Sequence, residues 1–175
     1  MTSSEPTASI AWRRVKSFRD VGRARQVHLD VTASKRLINV CHGAFRKLVI
    51  AALLAGARPP HELVERKVRD FNAETGTLSV VDRKTGARDT VLTKEAIRFS
   101  QEISVGRRPD DLLRSRDGGT SWGKNQHVRP MQDAVKRAKL PEGCTLSSLR
   151  HSHASQALLN GMNLKLLPEN LGTSE

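Results

Sequence analysis

Tyrosine is absent from the 175 residues of this chain, and the other aromatic residues are limited to two tryptophans and four phenylalanines. Chemistry that requires a phenol therefore cannot come from a side chain of this polypeptide. Cysteine is almost as scarce, because Cys41 and Cys144 lie far apart and form no Cys-x-x-Cys pair. This pattern indicates two reduced thiols and argues against a disulfide framework. Neither Cys41-His42 nor His151 with His153 has the spacing of zinc ligands, so we predict no metal site.

Long apolar runs are also missing. The longest one, from Leu48 to Ala57, is about half of the roughly 20 residues that a membrane-spanning helix needs. The first nine residues are polar and include Glu5, which argues against a secretory signal and against an arginine-rich transit peptide. We therefore expect no membrane partner and a cytoplasmic location.

Acidic residues are few relative to basic ones. The chain has 18 Asp and Glu against 30 Lys and Arg, which gives a net charge of +12 and a pI near 10.7. The charge is spread along the chain rather than confined to a tail. A basic folded domain of this kind most often binds a polyanion, above all nucleic acid. An anionic membrane surface is a weaker alternative, because no basic amphipathic helix with bulky apolar anchors is evident.

Two periodicities predict the fold class. The length and the 37% hydrophobic fraction allow one ordinary domain with a modest core. Segments of period two, Thr77–Arg83 and Ala87–Leu92, flank the turn Lys84-Thr85-Gly86, and a turn at residues 72–76 adds a third strand. The remaining segments favour helices. The expected fold is therefore α+β, mostly helical with a small three-stranded antiparallel sheet.

Capping residues and glycines predict the helix boundaries. A segment that is apolar nearly all round predicts a buried helix over Phe45–Ala55. The other expected helices are one capped by Thr32 and loosened at its end by Gly43, one over Lys94–Ser104 capped by Thr93, one from about Lys124 to Lys139 bent near Pro130, and one capped by Ser147 or Thr145 that contains Leu149 and Leu159.

The segment Gly118–Asn125 reads GGTSWGKN and fits the first seven positions of a phosphate-binding P-loop. The eighth position needs Ser or Thr to hold Mg²⁺, but it is occupied by Asn125. The bulky Trp122 lies inside the segment, and no convincing strand precedes it. A glycine-rich turn before a helix is therefore the favoured interpretation.

Arg150 is the sharpest candidate for an anion-binding residue. We predict that it lies in the first turn of its helix, where free backbone N–H groups and the helix dipole already favour an oxyanion. An arginine aimed at the same place can bind a phosphate bidentately. Taken alone, Arg150 is equally consistent with a surface salt bridge. That alternative weakens when Arg58 and Lys84 are added, because three cations on separate elements could converge on one phosphodiester.

Four segments of the chain resemble motifs of the tyrosine recombinases of the phage-integrase type. The run Ala55-Gly56-Ala57-Arg58-Pro59 followed by Glu62-Leu63 is similar to the TGxRxxEL box of that family. The other three follow in the family's order and are Val68–Asn72 with the strand and turn Arg83–Gly86, the run Leu149–Ser155, and Leu171–Ser174, which resembles the LGHS segment.

This resemblance implies the fold of a catalytic domain that cleaves and rejoins DNA. In the family, two arginines that match Arg58 and Arg150 hold the scissile phosphate and stabilise its developing charge. A hairpin lysine, here Lys84, protonates the departing 5′ oxygen. A tyrosine attacks to form a 3′-phosphotyrosine, so no cofactor, ATP or metal is needed. The implied partner is double-stranded DNA, on which relatives act as oligomers, in the cytoplasm of a bacterium and in association with the nucleoid.

Departures from the family pattern bear on activity. Ser147 stands at the usual position of a histidine, and Thr173 stands at the usual position of His or Trp. No tyrosine is present to act as the nucleophile. The resemblance also implies that residues 1–25, which are Ser/Thr-rich and then basic, are a disordered lead and basic linker from an absent core-binding domain. Residues 26–175 are then a catalytic domain that is incomplete at its C-terminus, and whether the chain is an enzyme stays open.

Two further expectations complete the sequence-based prediction. The first is a set of DNA-contacting residues, namely Arg83, Arg88, Lys124, His151 and His153. The second concerns function: the main hypothesis is a site-specific recombinase or integrase domain that does not cleave DNA by itself. The alternatives are a non-catalytic DNA-binding remnant and a basic structural protein that coats RNA.

Overall fold

The structure, a computed structural model, describes residues 27–55, 61–82 and 86–159. Within these ranges the helices are α1 (Val31–Val40), α2 (Gly43–Ala55), α3 (His61–Val64), α4 (Lys94–Ser104), α5 (Val128–Arg137) and α6 (Leu146–Leu159). The strands β1 (Phe71–Asn72), β2 (Thr77–Asp82) and β3 (Gly86–Val91) form one antiparallel sheet in the order β1-β2-β3. The predicted α+β class, mostly helical with a small three-stranded sheet, is confirmed.

The start of α1 differs from the prediction. Asp30, rather than Thr32, caps the helix, because its Oδ1 accepts a hydrogen bond from the N–H of Ala33 at 2.6 Å. Thr32 is the second residue of the helix and is exposed. Gly43 does not loosen the end of α1 either; it is the first residue of α2 and has a φ of 53°, which glycine adopts without strain.

Helix α2 lies at the centre of the core, as its apolar sequence predicts. Leu48, Val49 and Ala52 are fully buried. The helix packs most extensively against α6 and also contacts α1, α3 and α4. A helix that is apolar nearly all round needs such neighbours on several sides, and this packing places the end of α2 beside α6.

The sheet confirms the predicted pairing of three antiparallel strands, whereas Lys84 and Thr85 of the predicted turn between β2 and β3 lie outside the described ranges. Strand β2 pairs with β3 so that Leu78 lies opposite Thr90. The turn before β2 is closed by the Asn72 side chain, whose Oδ1 accepts hydrogen bonds from the N–H groups of Glu74 and Thr75. Leu78 and Val80 are fully buried and join the sheet to the helical core.

Helix α4 begins as predicted at Thr93, whose hydroxyl accepts a hydrogen bond from the N–H of Ala96 at 3.2 Å. The long connection that follows is held by Arg107. The Arg107 guanidinium donates to the carbonyl oxygens of Leu112 and Leu113 and to the hydroxyl of Ser115. Because its donors are occupied by acceptors within the loop, the Arg107 guanidinium stabilises the loop and is not available to bind a ligand.

The glycine-rich segment of this loop is mostly exposed but is anchored to the core by Trp122. Trp122 is 8% exposed, and its ring meets that of Phe45 edge-on at a centroid distance of 5.9 Å. The guanidinium carbon of Arg116 lies 5.7 Å from the Trp122 ring centroid. No strand precedes Gly118 in the described loop. These features agree with a structural turn and not with a P-loop.

Helix α5 begins later than expected. It spans Val128–Arg137, and residues 124–127 form turns before it. Pro130 is therefore the third residue of the helix. It does not bend the helix, because the N–H groups of the first turn have no acceptor within the helix and the missing N–H of proline breaks no hydrogen bond there.

Within the described part of the chain, no helix is long and apolar enough to cross a bilayer.

Candidate functional site

The start of α6 is fixed by a reciprocal cap between Thr145 and Ser148. The N–H of Ser148 donates to the hydroxyl oxygen of Thr145 at 3.3 Å, and the N–H of Thr145 donates to that of Ser148 at 3.1 Å. This is the capping-box arrangement with serine in the place of the usual acidic residue. Of the two predicted caps, Thr145 is therefore confirmed. Ser147 is the second residue of the helix instead.

The burial pattern of α6 separates its two faces. Leu149 and Ser152 are fully buried, whereas Ser147 and His151 are exposed and Arg150 is half-buried. Residues three and four apart lie on the same side of a helix. Ser147 and His151 therefore lie on one outward face of α6, and Arg150 lies half-buried at its edge with its Nη1 atom buried. We call these three residues the α6 polar face.

Arg150 is placed differently from the prediction. It is the fifth residue of α6, not part of the first turn, so it lies beyond the free N–H groups at the helix start. Its position is instead determined by how the helix is anchored. One anchor is Ser152, whose hydroxyl accepts a hydrogen bond from the N–H of Leu29 at 2.9 Å and donates to the carbonyl oxygen of Ser148 at 3.1 Å.

The second anchor is His153, which follows Arg150 by one turn. Its Nδ1 lies 2.9 Å from the carbonyl oxygen of Leu53 in the last turn of α2. Burial lowers the pKa of the His153 imidazole, the hydrogen bond to Leu53 raises it, and the charge of Arg150 lowers it further. The net effect is a lowered pKa, which favours a neutral imidazole next to Arg150. The prediction that His153 contacts DNA stays a prediction.

A cavity of about 270 Å³ lies between the starts of α5 and α6. Its lining includes His127, Gln132, Thr145 and Ser147. The Nδ1 atom of His127 is buried and makes no hydrogen bond, and burial lowers the pKa of this histidine. No sequence pattern marks His127, because the cavity arises only when two helix starts that are distant in sequence pack together.

Two basic side chains around the start of α5 are exposed. Lys124, in the turns before α5, and Arg129, the second residue of α5, both face solvent. Their elements border the same cavity as the α6 polar face. We call the start of α5 together with the α6 polar face the basic face.

Other arginines are not available to a ligand. Arg66 and Arg114 are buried, at 7% and 3% exposure. Arg114 donates to the carbonyl oxygen of Leu63 at 3.3 Å, and burial together with the charge of Arg66 lowers its pKa to about 10. These two guanidinium groups, like that of Arg107, belong to the framework, so part of the positive charge of the chain is internal.

Several predicted site residues lie outside the described ranges. They are Arg58, Arg83, Lys84 and Thr173, and residues 1–25 also fall there. For Arg88 the structure describes the backbone alone, which pairs with Val80 in the sheet. The meeting of Arg58, Lys84 and Arg150 around one phosphate therefore stays a prediction. Among the described residues, no cluster of three or more His, Cys, Asp or Glu side chains is arranged to hold a metal ion.

Comparison with curated proteins supports the sequence resemblance. The chain is 25% identical over 185 aligned positions to the tyrosine recombinase XerC of Lactobacillus delbrueckii subsp. bulgaricus. The alignment covers 98% of this chain and 61% of XerC, so the chain spans about three fifths of the length of that relative. No family model matches the sequence.

Solved structures match the fold over most of the chain. The XerA recombinase superposes with a TM-score of 0.70 at 21% identity, covering 85% of this chain and 57% of XerA. The integrase of the transposon Tn1549, crystallised with circular intermediate DNA, gives a TM-score of 0.71 at 18% identity, covering 89% of this chain and 60% of the integrase.

These matches define the fold as that of a recombinase catalytic domain. Together with the similarity to XerC, they support the resemblance of this chain to the tyrosine recombinase and integrase family. The resemblance carried by the sequence motifs is thereby confirmed at the level of the family.

Proposed function

We propose that this chain is the DNA-binding and phosphate-holding domain of a site-specific DNA recombinase. The observation that carries the proposal is the α6 polar face, on which Arg150 is flanked by two exposed polar residues in a fold shared with recombinases. Its substrate is duplex DNA, consistent with the circular intermediate DNA bound by the Tn1549 integrase. Assembly of several copies on DNA, which the sequence resemblance implies, is part of the proposal.

The basic face accounts for binding through electrostatics. Lys124 and Arg129 are exposed around the start of α5, and the cavity at that helix start is also lined by Ser147 of the α6 polar face. A protein that neutralises phosphates with such cations releases counterions, so its affinity falls steeply with salt. Contacts of this kind determine position on the duplex and carry no sequence information directly.

Arg150 is the residue proposed to hold the scissile phosphate. A guanidinium can donate two hydrogen bonds to the oxygens of one phosphate and stabilise the negative charge that grows as phosphorus is attacked. Arg58 is proposed to hold the same phosphate, and Lys84 to donate a proton to the departing 5′ oxygen. Attack on phosphorus needs a tyrosine hydroxyl, which no residue of this polypeptide supplies.

A binding assay with matched arginine variants tests the proposal. We expect the parent chain to bind a fluorescein-labelled duplex with an affinity that falls as salt rises. Arg150→Ala removes a bidentate phosphate contact and is expected to raise Kd about tenfold or more. Arg98→Ala removes an exposed guanidinium of α4, outside the basic face, and is expected to change Kd less than about twofold.

The outcomes separate the candidate functions. Equal losses in R150A and R98A would mean that bulk charge alone drives binding, as expected for a basic RNA-coating protein. A larger loss in R150A supports a phosphate site. The same comparison applies to Arg58→Ala against neutralisation of the exposed Lys94. Circular dichroism of each variant establishes that it remains folded.

A further inference from the structure

His153 links the two helices that bear on the phosphate site. Its imidazole lies between α6, where Arg150 precedes it by three residues, and the last turn of α2, where it meets Leu53. A carbonyl oxygen can only accept a hydrogen bond, so the Nδ1 of His153 must carry the proton. The geometry therefore selects the Nδ1–H tautomer or the doubly protonated ring.

The carbonyl that His153 contacts lies at the end of α2 as the structure describes it. Leu53 is two residues before Ala55, the last described residue of that helix. An imidazole N–H donated to this carbonyl oxygen ties the main chain of α2 to α6. In sequence, the chain runs from this end of α2 to Arg58 within three residues.

Arg150 and His153 lie on neighbouring positions of one side of α6, at a spacing of three residues. A hydrogen bond from His153 to α2 therefore restricts rotation of α6 about its own axis. That rotation decides the direction in which Arg150 points. Burial keeps the His153 ring from carrying a charge that would compete with Arg150 for the same phosphate.

We propose that His153 is a positioning residue for Arg150, and that its Nδ1–H to Leu53 hydrogen bond sets the orientation of α6 in which the guanidinium faces a DNA phosphate. This inference rests on the proposed function. It assigns His153 a role through Arg150 and not a contact with DNA. It also explains why a half-buried histidine lies in a helix–helix interface where an apolar side chain would fill the space.

Two substitutions separate the hydrogen bond from the size of the ring. His153→Phe keeps a ring of similar volume but removes the donor. In His153→Asn the side-chain amide nitrogen lies near the place of Nδ1 and still donates. We expect H153F to raise Kd for the labelled duplex about fivefold, the cost of one lost hydrogen bond. We expect H153N to stay within about twofold of the parent. Should H153F not fold, H153Q replaces it, because its longer side chain carries the donor away from the Nδ1 position.

A double-mutant cycle with Arg150→Ala tests whether the effect passes through Arg150. If His153 positions Arg150, the variant R150A/H153F binds as strongly as R150A alone. If the fivefold loss recurs in the R150A background, His153 acts independently and the proposal is overturned. His28→Asn, at an exposed histidine outside the basic face, controls for loss of an imidazole and is expected to bind as the parent does.

NMR of the free protein tests the positioning without DNA. The imidazole nitrogens of His153 are expected to show the Nδ1–H tautomer, and the Nε–H of Arg150 is expected to be ordered in the parent and in H153N but mobile in H153F. An Nε2–H tautomer, or equal order of Arg150 in all variants, contradicts the proposal. This measurement needs no ligand. Failure of the parent chain to bind DNA would therefore refute the proposed function, whereas the NMR result would still decide whether His153 positions Arg150.

Discussion

The hydroxyl of Ser152 accepts a hydrogen bond from the main-chain N–H of Leu29 at 2.9 Å, across 123 residues of sequence. The same hydroxyl donates to the carbonyl oxygen of Ser148, one turn earlier on α6. Ser152 is completely buried, and Leu29 is 2% exposed. One small polar side chain therefore ties the segment before α1 to the helix that carries Arg150.

Replacement of this hydroxyl is expected to destabilise the fold. In Ser152→Ala the N–H of Leu29 loses its acceptor in a site that water does not reach, and such a loss typically costs about 1–3 kcal/mol. Urea unfolding followed by circular dichroism measures the change. The control is Ser121→Ala at an exposed serine of the long loop. A loss in S152A no larger than that in S121A would show that the hydrogen bond contributes nothing to stability.

Trp122 is expected to be among the most sensitive core positions. Its ring contacts Phe45 edge-on and lies under the guanidinium of Arg116, so truncation removes both contacts and opens a large cavity. Trp122→Ala should lower the free energy of unfolding by about 3–5 kcal/mol. Trp122→Phe keeps a ring against Phe45 and should lose clearly less. An unchanged urea midpoint in W122A would be incompatible with the packing described for this loop.

The sequence predicted elements where the signals are local. The sheet was predicted from the alternating residues of β2 and β3, and the start of α4 was predicted from Thr93. Both signals are local, because strand periodicity and side-chain caps act within a few residues. The predicted start of α1 was wrong because Asp and Thr are both good capping residues. The path of the chain before the helix determines which of Asp30 and Thr32 is the cap. The predicted start of α5 was wrong because a proline such as Pro130 is compatible both with the first turn of a helix and with a bend inside a longer helix.

The candidate site was predictable only in part. The motif around Arg150 identified the correct helix, but the half-burial of Arg150 and its place beyond the first turn depend on the cap at Thr145. His127 was missed because its cavity forms between two helix starts that meet only in the folded chain. The contact of His153 with Leu53 spans 100 residues and likewise has no local signal.

Stability is expected to fall as the pH drops from about 7 to about 5. The pKa values of His153 and His127 are lowered in the fold, chiefly by burial, from an ordinary value near 6.5. The unfolded chain therefore binds protons before the folded chain does. The stability that the neutral rings provide is complete above pH 6.5 and is lost as the pH falls through the folded pKa values.

Urea unfolding across this pH window measures the effect, with His153→Asn as the test variant. Asparagine does not titrate, so the slope of stability against pH should be smaller in H153N than in the parent. His28→Asn, at an exposed imidazole, is the matched control for the loss of one histidine. Parallel curves for the parent and H153N would show that His153 titrates in the fold as it does in the unfolded chain.

The two thiols are expected to react slowly in the folded protein. Burial raises the pKa of Cys144 to about 11. Burial also raises the pKa of Cys41, with an opposing effect from the charges of Arg137 and Arg46. Because the thiolate is the reactive form, labelling of Cys144 by a disulfide reagent near neutral pH should be about a hundredfold slower than in urea. Single variants Cys41→Ser and Cys144→Ser assign the rates, and equal native and unfolded rates would contradict the burial.

The chain is expected to bind a nicked suicide duplex without forming a covalent adduct. Cleavage of this type joins a tyrosine oxygen to phosphorus, and the sequence contains no tyrosine. A denaturing gel with labelled DNA should therefore show free DNA alone at concentrations where a native gel shows a complex. Appending a helix that carries a tyrosine after residue 175, or adding a tyrosine-bearing partner subunit, should restore the adduct if Arg150 holds the phosphate, and Arg150→Ala should abolish it again. A protease-sensitive shifted band from the parent chain alone would overturn the prediction, because it would require a different nucleophile in this fold.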